Sequence, residues 1–159
     1  GSVGEIMLRG ACVTRGYFDC DSAFIGKDGW LPTGDMGYAD ALGMVWVVDR
    51  KKDMINRGGE KVWCSCLEET LGSLDGVREA CVAGIPDELY GEVPVAVIVP
   101  EPGAELTEGG VIASMRERVA GFEVPEHVVF VDRIPQTRGE KPDRASVRAA
   151  VLEKKGETR

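Results

Sequence analysis

The 159-residue chain sets 27 Asp and Glu against 19 Lys and Arg, a net charge of -8, and so lacks the basic surface that nucleic acids or anionic membranes attract. With 43% hydrophobic and 29% charged residues, it falls among globular sequences and outside the disordered and fibrous ones. No apolar run approaches the roughly 20 residues that span a bilayer, and Gly1 to Gly10 lack the basic-then-apolar order of a signal peptide. The five cysteines, Cys12, Cys20, Cys64, Cys66 and Cys81, are odd in number and scattered, which is not a disulfide framework. A cytoplasmic protein with reduced thiols and no membrane span is the expectation.

Turn residues recur every few positions up to Arg50, as in Thr33-Gly34-Asp35 and Asp40-Ala41-Leu42-Gly43, and predict short strands between them. Residues 5–9 and 44–48 are the strand candidates; the second is a continuous apolar run, the pattern of a strand buried on both faces. So few short strands need a partner surface, so residues 1–49 do not read as an independent domain.

The basic cluster Arg50-Lys51-Lys52 marks a change of texture, and a domain boundary is placed there. Trp63, Leu67, Leu71 and Leu74 recur at helical spacing and predict a helix over 64–73, with Glu68 and Glu69 on another face. Strands are expected at 77–82 and 93–99, then a helix over 111–119 that turns Val111, Ile112, Met115 and Val119 inward, then a strand at 127–131. Asp143, just after Pro142, is placed to cap a last helix in which Val147 and Val151 face inward and Arg144 and Arg148 face water. Residues 50–159 thus predict a small α+β domain, a sheet flanked by helices.

Missing chemistry narrows the function. The single histidine, His127, opens a strand, where a structural or solvated role is the ordinary one. Cys64 and Cys66 have no second ligand pair at metal spacing, so no metal site is expected. Glycine-rich phosphate loops and a Gly-x-Ser-x-Gly elbow are absent. Four local features remain: the Thr33-Gly34-Asp35 turn, which can offer two carboxylate oxygens to a vicinal diol; Arg50-Lys51-Lys52-Asp53 at the boundary; the Arg57-Gly58-Gly59-Glu60 turn; and the 135–144 loop that presents Lys141. Taken singly, each is ordinarily a structural turn, a solvated hinge or a solvated loop lysine.

In this order the four features resemble the carboxyl-terminal signatures of the adenylate-forming superfamily: acyl-CoA synthetases, luciferases and peptide-synthetase adenylation domains. Nearly the whole chain takes part. The resemblance runs through Gly4-Glu5-Ile6 with Gly16-Tyr17, Gly29-Trp30-Leu31-Pro32-Thr33-Gly34-Asp35, Asp49 to Ile55, Gly58-Gly59-Glu60-Lys61-Val62, Gly84-Ile85-Pro86-Asp87 with Gly91-Glu92, Val124-Pro125 and the 135–144 loop.

The resemblance implies that residues 1–49 end the β subdomain of a large amino-terminal domain and that 50–159 form a mobile carboxyl-terminal lid. It implies that Asp35 and Arg50 bind the ribose of ATP, that Lys52 is the hinge, and that Lys141 bridges the acid's carboxylate and the ATP phosphate during adenylation. Gly58 and Gly59 would line the tunnel for the CoA pantetheine arm in a second pose of the lid. ATP and CoA are the implied substrates beside a small carboxylic acid, fatty or aromatic, and magnesium is expected through the missing amino-terminal domain. Alone the chain is expected to be inactive, and its uncovered β segment to favour self-association. Lys52 and the Gly-Gly-Glu-Lys-Val stretch are more similar to acyl-CoA synthetases than to peptide-synthetase domains; the alternatives are a lid serving a carrier protein and a free-standing binding module. Four positions depart from the family pattern: Cys64 and Cys66 stand where proline and glutamate are common, Glu123 where lysine is usual, and Glu140 in the slot before Lys141 where glycine is usual.

Overall fold

The computed structural model describes residues 1–14, 16, 26 and 28–157. Tyr17 of the Gly16-Tyr17 motif, and Cys20, lie outside the described residues. The chain divides into two compact units, Gly1–Lys52 and Asp53–Arg159.

The first unit is an antiparallel sheet of three strands in the order β1-β2-β3: β1 (Gly4–Leu8), β2 (Leu31–Ala39) and β3 (Val45–Arg50). Asp40 makes the β2–β3 turn, its Oδ1 accepting from the amides of Leu42 and Met44 and its Oδ2 from Trp46 Nε1. The apolar run in β3 is not buried as its pattern predicts. Val45, Trp46 and Val47 are more than half exposed, because β3 is an edge strand and, among the described residues of this unit, no second layer lies on it.

The second unit builds one five-stranded sheet. A short hairpin, β4 (Ile55–Arg57) and β5 (Glu60–Val62), turns through Gly58 and Gly59. Next comes α1 (Cys64–Gly72), then β6 (Val77–Asp87) and β7 (Gly91–Pro100). These two strands pair antiparallel over their whole lengths. They run further than the sequence predicts, since Gly84, Pro86, Gly91 and Pro100 hide the extension. Next is α2 (Glu108–Arg116), which begins earlier than its apolar stripe because Thr107 caps it, its side chain accepting from Gly110 N at 3.1 Å. Strand β8 (His127–Phe130) lies parallel to β7, and α3 (Arg144–Glu157) closes the chain. Asp143 caps α3, accepting from the amides of Ala145 and Ser146 and from the Ser146 hydroxyl.

Strand alternation sorts the core into two faces. Val82, Ala96, Ile98 and Val128 pack with Leu67 and Leu71 of α1 and Val111 and Met115 of α2. Cys81, Ala83, Val95, Val97 and Val129 point the other way, onto Val147 and Val151 of α3. The unit is the predicted α+β arrangement of a sheet flanked by helices.

Candidate functional site

In the first unit the strand register brings two predicted residues together. Asp35 on β2 is the cross-strand partner of Arg50 on β3, and Arg50 Nε stands 3.3 Å from Asp35 Oδ1. The Thr33 hydroxyl holds the approach to Asp35: it donates to Ile6 O at 2.8 Å and accepts from Asp35 N at 3.1 Å. Gly34, at φ 76°, bends the strand there, and Lys51 N donates to its carbonyl at 2.8 Å. Lys51 Nζ is committed to Glu5, at 2.7 Å from Oε2, and this hydrogen bond holds the Glu5 carboxyl below its ordinary range. An open recess of about 360 Å³ results, lined by Thr33, Gly34, Arg50, Lys51 and Lys52. Its cationic rim, with a carboxylate beside it, suits a polyhydroxylated anion.

In the second unit Gly58 and Gly59 occupy both centres of a two-residue hairpin turn with φ 61° and 98°, a conformation that glycine enters without Cβ strain. Neighbours pin this turn from several sides. Gly58 N donates to Tyr90 O at 2.8 Å, and Gly59 N to Asn56 Oδ1 at 3.0 Å. Arg57, largely buried, donates to the carbonyls of Phe122 and Val124 and pairs with Glu126 at 3.1 Å. Its guanidinium also lies 5.0 Å from the centre of the Tyr90 ring.

Lys141 is exposed at the end of a tight loop. Thr137 O accepts from Glu140 N at 3.0 Å, and Thr137 N donates to Lys141 O at 2.8 Å. Gln136 and Pro142 form a bridge below, and Asp143 N donates to Pro135 O at 2.8 Å. Glu140 takes the left-handed position of this turn, with φ 58°, the one non-glycine residue with positive φ among those described. The glycine slot noted in the sequence is therefore a backbone requirement, met here by a residue with a Cβ.

Two expectations about charges need correction. Glu68 does not lie on a face of α1 apart from its apolar residues, nor does Arg144 face water: both are about one-fifth exposed, and Arg144 Nη1 donates to Glu68 Oε1. Glu68 lies one turn beyond buried Cys64 and one turn before Leu71, hence on the buried stripe, a signal the sequence carried. Arg148 is exposed as predicted.

Cys64 is buried, its thiol donating to Asp53 O at 2.9 Å, whereas Cys66 is exposed; two residues apart on a helix, they face different ways. Among the described residues no group of three or more His, Cys, Asp or Glu is placed to hold a metal ion, so these residues do not fit a magnesium site. His127 Nδ1 lies 3.5 Å from Glu108 Oε1. No helix among the described residues is long and apolar enough to cross a membrane.

An open recess on a β hairpin, followed by a small α+β unit carrying a glycine turn and a lysine loop, defines the carboxyl-terminal architecture of an adenylate-forming protein. A family model described as the AMP-binding enzyme C-terminal domain matches residues 67–141. The chain is 42% identical over 156 residues to indoleacetate–CoA ligase of Aromatoleum aromaticum, covering 97% of this chain and 31% of that protein. It is 40% identical over 153 residues to 2-succinylbenzoate–CoA ligase of Bacillus cytotoxicus, covering 95% and 31%. Among solved structures, ATP-bound MatB from Rhodopseudomonas palustris superposes with a TM-score of 0.87 at 31% identity, covering 94% of this chain and 30% of that one. The chain belongs to the adenylate-forming superfamily, whose carboxyl-terminal portion it matches. It spans about 31% of the length of these two curated relatives.

Proposed function

We propose that the chain is the carboxyl-terminal part of an AMP-forming acyl-CoA ligase. In the first half-reaction a carboxylate oxygen attacks the α-phosphorus of ATP and pyrophosphate leaves; in the second the CoA sulfur attacks the acyl carbon and AMP leaves. The observation that carries this reading is the Asp35–Arg50 pair at 3.3 Å on the rim of the recess. There the carboxylate accepts from the ribose hydroxyls while the guanidinium donates to oxygens of the same nucleotide.

Lys141 serves the first half-reaction, its ammonium offsetting the negative charge that gathers where carboxylate meets phosphate. Gly58 and Gly59 serve the second by letting the narrow pantetheine arm pass close to the backbone. Lys52, at the junction between the two units, is the pivot that exchanges one set for the other. Magnesium, the phosphate loop and the acid pocket belong to the region upstream, so this chain alone is inactive. The exposed strip at Val45, Trp46 and Val47 supports that arrangement, since an apolar edge of this kind is ordinarily covered or drives self-association.

Names among the relatives guide the choice of acids: indole-3-acetate, 2-succinylbenzoate and ferulate are the probes. The test is Lys141→Ala in the full-length enzyme. Acid-dependent pyrophosphate exchange is expected to fall by about two orders of magnitude or more, the scale of losing one preorganised charge from a transition state. Thioester formation from supplied acyl-adenylate and CoA is expected to stay within about threefold, because a residue acting in one half-reaction leaves the other intact. Equal losses in the two assays would sink this division of labour.

A further inference from the structure

The Arg144–Glu68 pair occupies a particular place in the sheet. Strand β6 is an edge strand, and at Val82 both backbone groups turn to its open side. Val82 N donates to Glu68 Oε1 at 2.8 Å, and Val82 O accepts from Arg144 Nη1. Arg144 Nη2 closes the fork on Glu68 Oε2 at 3.2 Å. A carboxylate from α1 and a guanidinium from α3 thus supply the acceptor and donor that a neighbouring strand would have offered.

Edge capping does not account for the rest of the guanidinium. Its Nε lies 3.7 Å from Asp53 Oδ2. Asp53 is the first residue of the second unit, directly after Lys52, and it is fixed a second time where its carbonyl accepts from the Cys64 thiol. At the other end, Arg144 follows Lys141 by three residues. The stem between them is held by the Asp143 N to Pro135 O hydrogen bond and the Gln136–Pro142 bridge. Three side chains, each between 21% and 23% exposed, thereby join the chain's entry into this unit to the base of the loop that presents Lys141.

We propose that Arg144 is a positioning residue for Lys141: its guanidinium ties the stem of the lysine loop to Asp53, so that the loop and the exit from Lys52 move as one body. This rests on the roles proposed above for Lys141 and Lys52. Without the tie the loop keeps only the Glu68 and Val82 contacts of Arg144 and its own turn, whose left-handed corner is the non-glycine Glu140. A side chain that must meet a phosphate and a carboxylate together tolerates little misplacement.

The test is Asp53→Asn in the full-length enzyme, which neutralises the contact to Arg144 Nε and leaves the Glu68–Arg144–Val82 cap untouched. Arg144→Lys, which keeps the charge and loses the fork, is the second variant. Amide hydrogen exchange is expected to quicken by about threefold or more at Thr137, Glu140 and Asp143 in both variants, with β7 amides unchanged, as local opening without global unfolding requires. With the best-turned-over of the three probe acids, kcat for pyrophosphate exchange is expected to fall by about fivefold or more at a KM for the acid within about twofold, the signature of lost transition-state positioning.

Unchanged exchange at the loop, or a loss of protection spread evenly over β7 as well, would overturn the proposal. Lys141→Ala, run alongside, separates the two levels. If it cripples pyrophosphate exchange while Asp53→Asn and Arg144→Lys do not, the tie has no positioning role and the assignment of Lys141 stands. If it has no effect, the assignment of Lys141 falls, and the positioning role falls with it.

Discussion

Asp35 and Arg50 face each other across the β2–β3 register with 3.3 Å between Nε and Oδ1. Their side chains are 34% and 55% exposed, and a pair so open to water contributes between nothing and about 1 kcal/mol to stability. Losing it should therefore appear in nucleotide binding rather than in folding. Asp35→Ala in the full-length enzyme is expected to raise the KM for ATP in pyrophosphate exchange by about tenfold or more, on the scale of about 1.4 kcal/mol per tenfold change. The thermal midpoint should stay close to that of the parent. A midpoint that drops while the KM holds would mean the pair is structural.

The hairpin at Gly58 and Gly59 makes the opposite prediction about the half-reactions. At Gly58 an added Cβ meets the Tyr90 ring at 3.3 Å, and at Gly59 it meets nothing within 4 Å but would have to sit at φ 98°. Left-handed backbone costs a residue with a Cβ roughly 1–2 kcal/mol, so Gly59→Ala shifts the turn rather than unfolding the sheet. Thioester formation from supplied acyl-adenylate is expected to fall by about tenfold or more, the order such a shift can reach in a close-fitting site, while pyrophosphate exchange stays near its parent value. Loss of exchange with thioester formation intact would place this turn in the other half-reaction.

Much of this architecture was legible because its signals are local. The period of Leu67 and Leu71, the capping Asp143 and the glycine pair each name their own element, and the structure builds α1, α3 and the β4–β5 hairpin there. What escaped was set by partners distant in sequence. Glu68 and Arg144 are 76 positions apart, and although the helical period places Glu68 on the buried stripe, its pairing with Arg144 cannot be recognised until the edge of β6 is known to lie between them. Val45 to Val47 carry the composition of a doubly buried strand, yet burial depends on a covering layer, which the described residues of the first unit do not supply. Within the candidate site, the cross-strand meeting of Asp35 and Arg50 does not follow from the Asp40 turn alone: a bulge between Met36 and Gly37 shifts the β2–β3 register by one residue and brings Arg50 opposite Asp35.

Glu140 offers a gain instead of a loss. Its φ of 58° places a Cβ where glycine is the ordinary occupant, and relieving that strain stabilises by up to about 1 kcal/mol after the larger unfolded-state entropy of glycine is deducted. Glu140→Gly is expected to raise the denaturant midpoint of the chain with an unchanged m-value. Glu140→Ala removes the charge beside Lys141 but keeps the strained angle, so it should bring no such gain. Equal stabilisation by the two variants would assign the effect to charge and not to backbone.

Cys81 gives the pH dependence. Burial against α3, reinforced by the Glu68 carboxylate, pushes its thiol from an ordinary 9.0 to about 12, and Arg144 only partly opposes this. Below pH 9 folded and unfolded chains both hold the proton, and the thiol adds no slope. Between pH 9 and about 12 the unfolded chain releases a proton that the folded chain retains, so stability falls, by at most about 1.4 kcal/mol per pH unit for one group. Denaturant titrations of the parent and of Cys81→Ala between pH 8 and 11 should show the parent losing stability more steeply above pH 9, with parallel curves below it. In the folded chain at pH 8, iodoacetamide should modify the exposed Cys12 and Cys66 and spare Cys81, because the thiolate is the reactive form. Parallel curves throughout, or alkylation of Cys81 at the rate of Cys66, would show that its thiol is neither buried nor raised.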